Sequence, residues 1–145
     1  MLAESPAEIV LTPHYGELSR LTGAEINNIA ENPAEAAKNA AKVTGCIILL
    51  KGVPTVIAGP AGELWYNGTG NEGMATAGMG DVLTGLVTGF AVQGMNLFEA
   101  AVLGAYIHGT AGDYASEERG IHSLTAGDVL DRIPRAMTEI LTLIT

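Results

Sequence analysis

Apolar positions in this chain come first in short runs and later at helical spacing. Residues 9–12 (IVLT) form a brief apolar run closed by Pro13, which predicts a buried strand. Residues 17–21 predict a short helix stopped at Gly23. A second helix is expected to start at Asn32, with Pro33 in its first position and Glu35 placed to complete the N-terminal cap. It should run to Thr44 and stop at Gly45. The run CIILL, residues 46–50, has no polar position, as in a strand covered on both faces. Residues 55–58 and 63–67 predict a hairpin around Gly59-Pro60-Ala61-Gly62, with Trp65 and Tyr66 on its second strand.

Beyond residue 67 the period changes. Helices are predicted near 81–93, 97–115 and 126–143. Thr125 and Asp128 form a capping-box-like pair ahead of the last one. Along it Val129, Ile133, Met137, Ile140 and Ile144 recur at the spacing of a core-facing stripe. Strands first and long helices last, around one mostly parallel sheet, define a layered α/β architecture in a single domain, residues 1–145. Only three or four strands are visible, where a sheet covered on both faces has about five or six. The chain therefore reads as the second half of a domain.

Composition narrows the function classes. With 48% hydrophobic and 16% charged residues, the chain is globular rather than disordered. A net charge of -9, with no cluster of Lys or Arg, argues against nucleic acid or an anionic membrane as partner. A small anion held by main-chain N–H groups stays open. Residues 82–98 carry no charge and include the pair Gly85 and Gly89 at GxxxG spacing, yet Gln93, Gly94 and Asn96 interrupt them well short of the ~20 residues of a span. A helix whose glycine face packs closely on a sheet is expected instead. The one cysteine, Cys46, reads as a buried reduced thiol of a cytoplasmic protein, and MLAESPAEIV lacks the features of a secretory signal.

The densest chemistry lies in GNEGMATAGMGDVLTG, residues 70–85, where five glycines fall in sixteen residues and Asp81 stands where they give way to a helical pattern. Glycine admits positive φ and close approach of backbone to a ligand. Such backbone running into a helix aims N–H groups and the positive end of the dipole at one spot, which suits phosphate. Asp81 reads in two ways. It is either the N-cap of the helix, or an acid that takes a proton from a hydroxyl attacking a phosphoryl group, with Mg²⁺ relieving its repulsion from phosphate. The segment is neither a Walker loop nor a GxGxxG after a strand.

Three stretches, in order, carry a resemblance. NGTGNEGMATAGMGDVLTG resembles the signature of the ATP/ADP-dependent NAD(P)H-hydrate dehydratases, ribokinase-like enzymes related to small-molecule kinases. LTPHYGELSRLTG is similar to the TPHPGE segment of that family, and LLKGVPTVI to its KG-x-x-T segment. The resemblance implies a ribokinase-like layered fold, present here as its C-terminal half, and a cytoplasmic enzyme that repairs hydrated NADH or NADPH. ADP or ATP, with Mg²⁺, would phosphorylate the ring hydroxyl, and phosphate would then be expelled. It implies that Asp81 is the catalytic base, in contact with substrate together with His14. It also implies that Lys51, Gly52, Val53, Pro54, Thr55, Gly78 and Gly80 hold the adenine nucleotide. Its partners would be those two small molecules, a homo-oligomer (the family tends to tetramers) or a missing N-terminal half, with no nucleic acid and no membrane.

Two departures stand out: His14-Tyr15-Gly16-Glu17 where the family usually reads HPGE, and Ala77-Gly78-Met79-Gly80-Asp81 where it reads GGTGD. The alternatives are an adenine-nucleotide-binding module without turnover, one subunit of a split enzyme, or a ribokinase-like kinase of small alcohols. His108 and His122 match no functional position, and His108 is expected to be packed in a helix. Asn67 and Asn71 are expected to shape the glycine segment through side-chain hydrogen bonds.

Overall fold

The computed structural model describes residues 5–143, so the first four residues and Ile144 of the sequence expectations lie outside it. The elements are β1 (Val10–Leu11), α1 (Tyr15–Thr22), α2 (Ile26–Glu31), α3 (Pro33–Thr44), β2 (Ile47–Leu50), β3 (Thr55–Ala58), β4 (Leu64–Asn67), α4 (Met79–Val92), α5 (Leu97–Arg119) and α6 (Ala126–Leu143). Single 3₁₀ turns stand at Glu72–Met74 and Ile121–Ser123. The described residues form two compact units, one holding 5–67 and 95–102, the other 68–94 and 103–143.

The first unit is a four-stranded sheet in the order β1-β2-β3-β4. Its β1 and β2 are parallel, with Val10 opposite Ile47, and the other two pairings are antiparallel. The expectation of a mostly parallel sheet is thus corrected to a mixed one. The cause lies in the connections: residues 51–54 and 59–63 are far too short for the dozen-residue crossover that a parallel neighbour needs. The predicted hairpin is present, with Gly59 N donating to Glu63 O at 2.9 Å and Gly62 at φ 104°. All four residues of β2 are buried. Ile48 and Leu50 pack with Val56 and Ala58 against Ala37, Ala40 and Ala41 of α3, with Leu18 and Ile29 completing that cluster. Alanines on α3 let the helix lie close to the sheet, and Gly45 ends it at φ 69°, donating to Ala41 O.

The helix starts show where pattern reading fell short. The first begins at Tyr15, two residues before the predicted start, because His14 caps it. The short α2 was not foreseen, and its presence explains a second correction. Asn32 closes α2, giving its N–H to Asn28 O, while also opening α3, and its side chain makes no cap hydrogen bond. The cap expected from Asn32 with Glu35 is therefore not built.

In the second unit α4 starts at Met79 with Gly78 as N-cap at φ 86°. Its buried line is Met79, Leu83, Val87 and Phe90. A methyl group at Gly85 or Gly89 would meet nothing within 4 Å among the described residues. Close packing uses a glycine of the other helix instead, since a methyl at Gly104 of α5 would sit 2.7 Å from Val87 Cγ2. The predicted pair at the start of α6 is present, with Asp128 N donating to Thr125 Oγ1 at 3.3 Å and Thr125 N to Asp128 Oδ2 at 3.0 Å. The stripe on α6 is only partly core. Val129 and Ala136, seven residues apart, form the inward line, so Ile133 and Ile140 are half-buried on its flank and Met137 is exposed. No helix among the described residues is long and apolar enough to cross a membrane.

Candidate active site

Because β1 and β2 are parallel, their carboxyl ends lie at one edge of the sheet, the side where ligands of such sheets bind. Two of the three resembling stretches begin there. His14 and Lys51 form a parallel bridge just past the strands, and Lys51 N donates to Pro13 O at 2.8 Å. His14 Nδ1 accepts from Glu17 N at 3.2 Å, and Glu17 Oε2 accepts from His14 N at 2.8 Å, a reciprocal capping box with histidine in the usual place of Ser or Thr. Nε2 of the exposed His14 lies 3.6 Å from Glu17 Oε1. Lys51 Nζ lies 3.6 Å from Glu17 Oε2. The hydrogen bond from the His14 main chain, helped by the charges of Lys51 and His14, holds the Glu17 carboxyl below its ordinary range.

Gly52, Val53, Pro54 and Thr55 turn the chain from β2 into β3. Thr55 Oγ1 donates to Gly52 O at 3.1 Å and accepts from Gly52 N, while the Val53–Pro54 peptide is cis and Val53 is almost wholly exposed. A methyl group at Gly52 would lie 2.6 Å from Tyr15 Cζ, so glycine is what lets the Tyr15 ring cover the turn. This contact involves the residue that replaces the proline of HPGE.

The second cluster belongs to the other unit. Gly78 takes the left-handed region, so the chain enters α4 with Gly78 O accepting from both Asp81 N and Val82 N, at 3.1 and 3.2 Å. The N–H groups of Met79 and Gly80 precede the first helical bonds and have no acceptor in the helix. Asp81 is the third residue of α4, so its reading as the N-cap is overturned by Gly78. Its side chain is exposed on the first turn, beside those free donors.

His108 lies packed in a helix under this turn, as expected, while its tie to Met79 and the Asp113 partner of Asn71 were not foreseen. His108 of α5 is 9% exposed, and burial pushes its imidazole down to about 4 against a hydrogen bond with the Met79 main chain. Its Nε2 has no partner among the described residues, so Nδ1–H serves Met79 and the ring is neutral. Asn71 does shape the glycine segment: its Oδ1 accepts from Gly73 N at 3.1 Å and its Nδ2 donates to Asp113 Oδ1 at 2.9 Å. The signal for these partners was a histidine and an aspartate five residues apart in the otherwise apolar AYIHGTAGDYA. Asn67 is buried, and His122 is exposed in the turn after α5.

The fold is that of a ribokinase-like protein. The chain superposes with a TM-score of 0.77 on a ribokinase-like superfamily protein from Enterococcus faecalis, 30% identical over 90% of this chain and 44% of that one. Within that class the NAD(P)H-hydrate dehydratase family model matches residues 2–135, and the chain belongs to that family. It is 49% identical to the bifunctional NAD(P)H-hydrate repair enzyme Nnr of Moorella thermoacetica, over 91% of this chain and 25% of that protein. It matches the ADP/ATP-dependent NAD(P)H-hydrate dehydratase of Bacillus subtilis, crystallised with ATP/Mg²⁺ and soaked with CoA, with a TM-score of 0.88 and 37% identity. There it covers 91% of this chain and 49% of that one, so the chain spans about half the length of the solved dehydratase.

Proposed function

We propose that the chain is the nucleotide-binding, C-terminal half of a dehydratase that repairs hydrated NADH or NADPH at the expense of ADP or ATP. The observation that carries this is the entry to α4: a left-handed Gly78, two donors without helical acceptors, and an exposed acid on the same turn. In this reading Gly78 and Gly80 lie against the phosphates, and the free N–H groups take up charge that develops on the transferred phosphoryl group. Asp81 accepts the proton of the ring hydroxyl as its oxygen attacks the terminal phosphorus and the phosphoanhydride bond breaks, releasing AMP from ADP or ADP from ATP. The hydroxyl becomes a phosphate ester, a far better leaving group; the nitrogen lone pair of the ring expels phosphate to give an iminium, and loss of a proton from the adjacent ring carbon re-forms the carbon–carbon double bond. His14 contacts the hydrated ring through Nε2. The turn formed by Lys51, Gly52, Val53, Pro54 and Thr55 holds the nucleotide, with Glu17 fixing the lysine.

Magnesium fits such a site as a companion of the phosphates. No group of three His, Cys, Asp or Glu side chains able to hold a metal exists among the described residues, and Mg²⁺ is ordinarily held by one or two carboxylates, substrate phosphates and water. Asp81 is the carboxylate available to it. The same reading places the protein in the cytoplasm, in keeping with the free, buried Cys46. Homo-oligomer formation rests on the family resemblance and is read by size-exclusion chromatography. A second reading, a nucleotide-binding part without turnover of its own, is favoured by the coverage of about half of the solved dehydratase.

The test is thermal unfolding of the purified chain with and without ADP and Mg²⁺, followed by turnover of hydrated NADH. Ligand at ~100 times its dissociation constant adds about 2.7 kcal/mol, a rise of several degrees. Asp81→Asn should keep that rise and lose turnover by roughly 10²–10⁴-fold, the worth of a general base. Undiminished turnover in Asp81→Asn would overturn the role of Asp81, and an unmoved melting temperature would overturn nucleotide binding by this chain alone.

A further inference from the structure

We infer that Asp113 is a positioning residue for the phosphate-binding segment, and that one face of α5 is the seat on which that segment is held. The inference rests on the nucleotide reading of residues 68–81 for its functional consequence, and on geometry for the rest. Asp113 is half-buried on α5, and both of its carboxylate oxygens are committed to the glycine segment. Oδ2 accepts from Gly70 N at 2.9 Å, and Oδ1 accepts from Asn71 Nδ2 at 2.9 Å. Asn71 Nδ2 also reaches Ser116 Oγ at 3.2 Å, one helical turn further along α5, and Ser116 Oγ in turn donates to the Asp113 carbonyl. Hydrogen bonds to a charged acceptor are the stronger kind, and Gly70, at φ 98°, holds a turn that needs an outside tie.

The same side of α5 is notched to receive the segment, main chain at Gly109 and the Met74 side chain at Gly112. A methyl group at Gly109 would lie 2.6 Å from the carbonyl carbon of Thr69, and one at Gly112 would lie 2.7 Å from Met74 Cε. Thr69 Oγ1 donates to Tyr106 O at 3.0 Å, on the same side of the helix. Tyr106, Gly109, Asp113 and Ser116 follow one another at intervals of three or four residues, which is one helical face. Residues 75–77 alone separate this anchored stretch from Gly78. A shift at Gly70 and Asn71 is therefore passed to the donors at Met79 and Gly80 through very few free dihedrals. Asp113 touches neither phosphate nor hydroxyl in this account. It acts by fixing the backbone that does.

The pair allows a test that separates position from mere stability. In Asp113→Asn one amide group must face the Gly70 or Asn71 donor with its own N–H, so a tie is lost while volume is kept. In the exchanged variant, Asp113→Asn with Asn71→Asp, the amide at 113 donates to the carboxylate at 71 and accepts from Gly70, while the carboxylate still accepts from Gly73. Amide hydrogen exchange of residues 68–81 and ADP affinity in the presence of Mg²⁺ are measured on the purified full chain. Asp113→Asn should speed exchange in residues 68–81 with exchange in β2 and α3 unchanged, and should weaken ADP binding by about tenfold or more, the loss expected for one charge-assisted hydrogen bond. The exchanged variant should restore both. Exchange and ADP affinity at wild-type levels in Asp113→Asn would overturn the inference. So would faster exchange with unchanged ADP affinity, because a positioning role requires both to move. If Asp113→Asn does not fold, recovery of fold and ADP affinity in the exchanged variant supports the tie, and failure to recover overturns it. Faster exchange in a chain whose wild type binds no ADP would support the seat and overturn the nucleotide reading.

Discussion

Glycine to alanine changes on α4 and α5 should act with opposite signs, and the structure fixes which is which. At Gly85 a methyl group meets nothing within 4 Å, so Gly85→Ala changes only the backbone term. Alanine in a helix interior is better than glycine by about 0.5–1 kcal/mol, which raises the melting temperature of a chain this size by roughly 2–4 °C. At Gly109 the same helix gain is available, but the methyl group would lie 2.6 and 2.7 Å from the Thr69 carbonyl carbon and oxygen. Ordinary contacts between such atoms are about 3.5–4.0 Å, so either residue 69 or the helix must give by about 1 Å. The Thr69 hydroxyl is nearer still, but turning it away leaves the two main-chain contacts in place. Overpacking of this kind costs about 1–3 kcal/mol, which offsets the helix gain and leaves a net loss of up to about 2 kcal/mol. Thermal unfolding by circular dichroism under identical conditions reads both variants. Gly85→Ala should melt above the wild type and Gly109→Ala below it. A Gly109→Ala chain as stable as Gly85→Ala would refute the close approach of residue 69 to α5.

Two further predictions concern capping and pH. Thr125→Ala removes the hydroxyl that accepts from Asp128 N at the start of α6, and should lower stability by about 1 kcal/mol in denaturant unfolding, with Thr125→Ser close to wild type. His108, held down at about 4 by burial, stays neutral where an unfolded-chain histidine with ordinary value 6.5 takes a proton. The unfolded state then binds more protons between those values, so stability is full above pH 6.5 and falls as the pH drops toward 4. His108→Gln should flatten that part of the stability-versus-pH curve, and an unchanged slope would show that His108 is not its source.

What the sequence made legible was whatever depends on one residue or one short run. Gly45 could be read as a helix stop, β2 as a strand buried on both faces and Thr125 with Asp128 as a cap, because each needs only near neighbours in sequence. Sheet direction needed the connection lengths weighed as well: the turn at residues 51–54 alone excludes a parallel β3. Asp81 was legible as chemistry but not in place, since the choice between cap and third residue turned on the φ of Gly78, which glycine leaves free. His14 shows the converse. Its bond with Glu17 is local and spaced as a capping box, yet histidine is so rare in that role that the helix was expected to start only at residue 17. Most hidden were the ties across 42 and 43 residues from Asn71 and Gly70 to Asp113, because hydrophobic periodicity says nothing about which polar groups meet. That is also why the acid in the middle of α5 matters. A half-buried carboxylate on a helix face gains nothing from burial alone, and both its oxygens are tied to the segment that leads to Asp81, one to the Gly70 main chain and one to the Asn71 side chain.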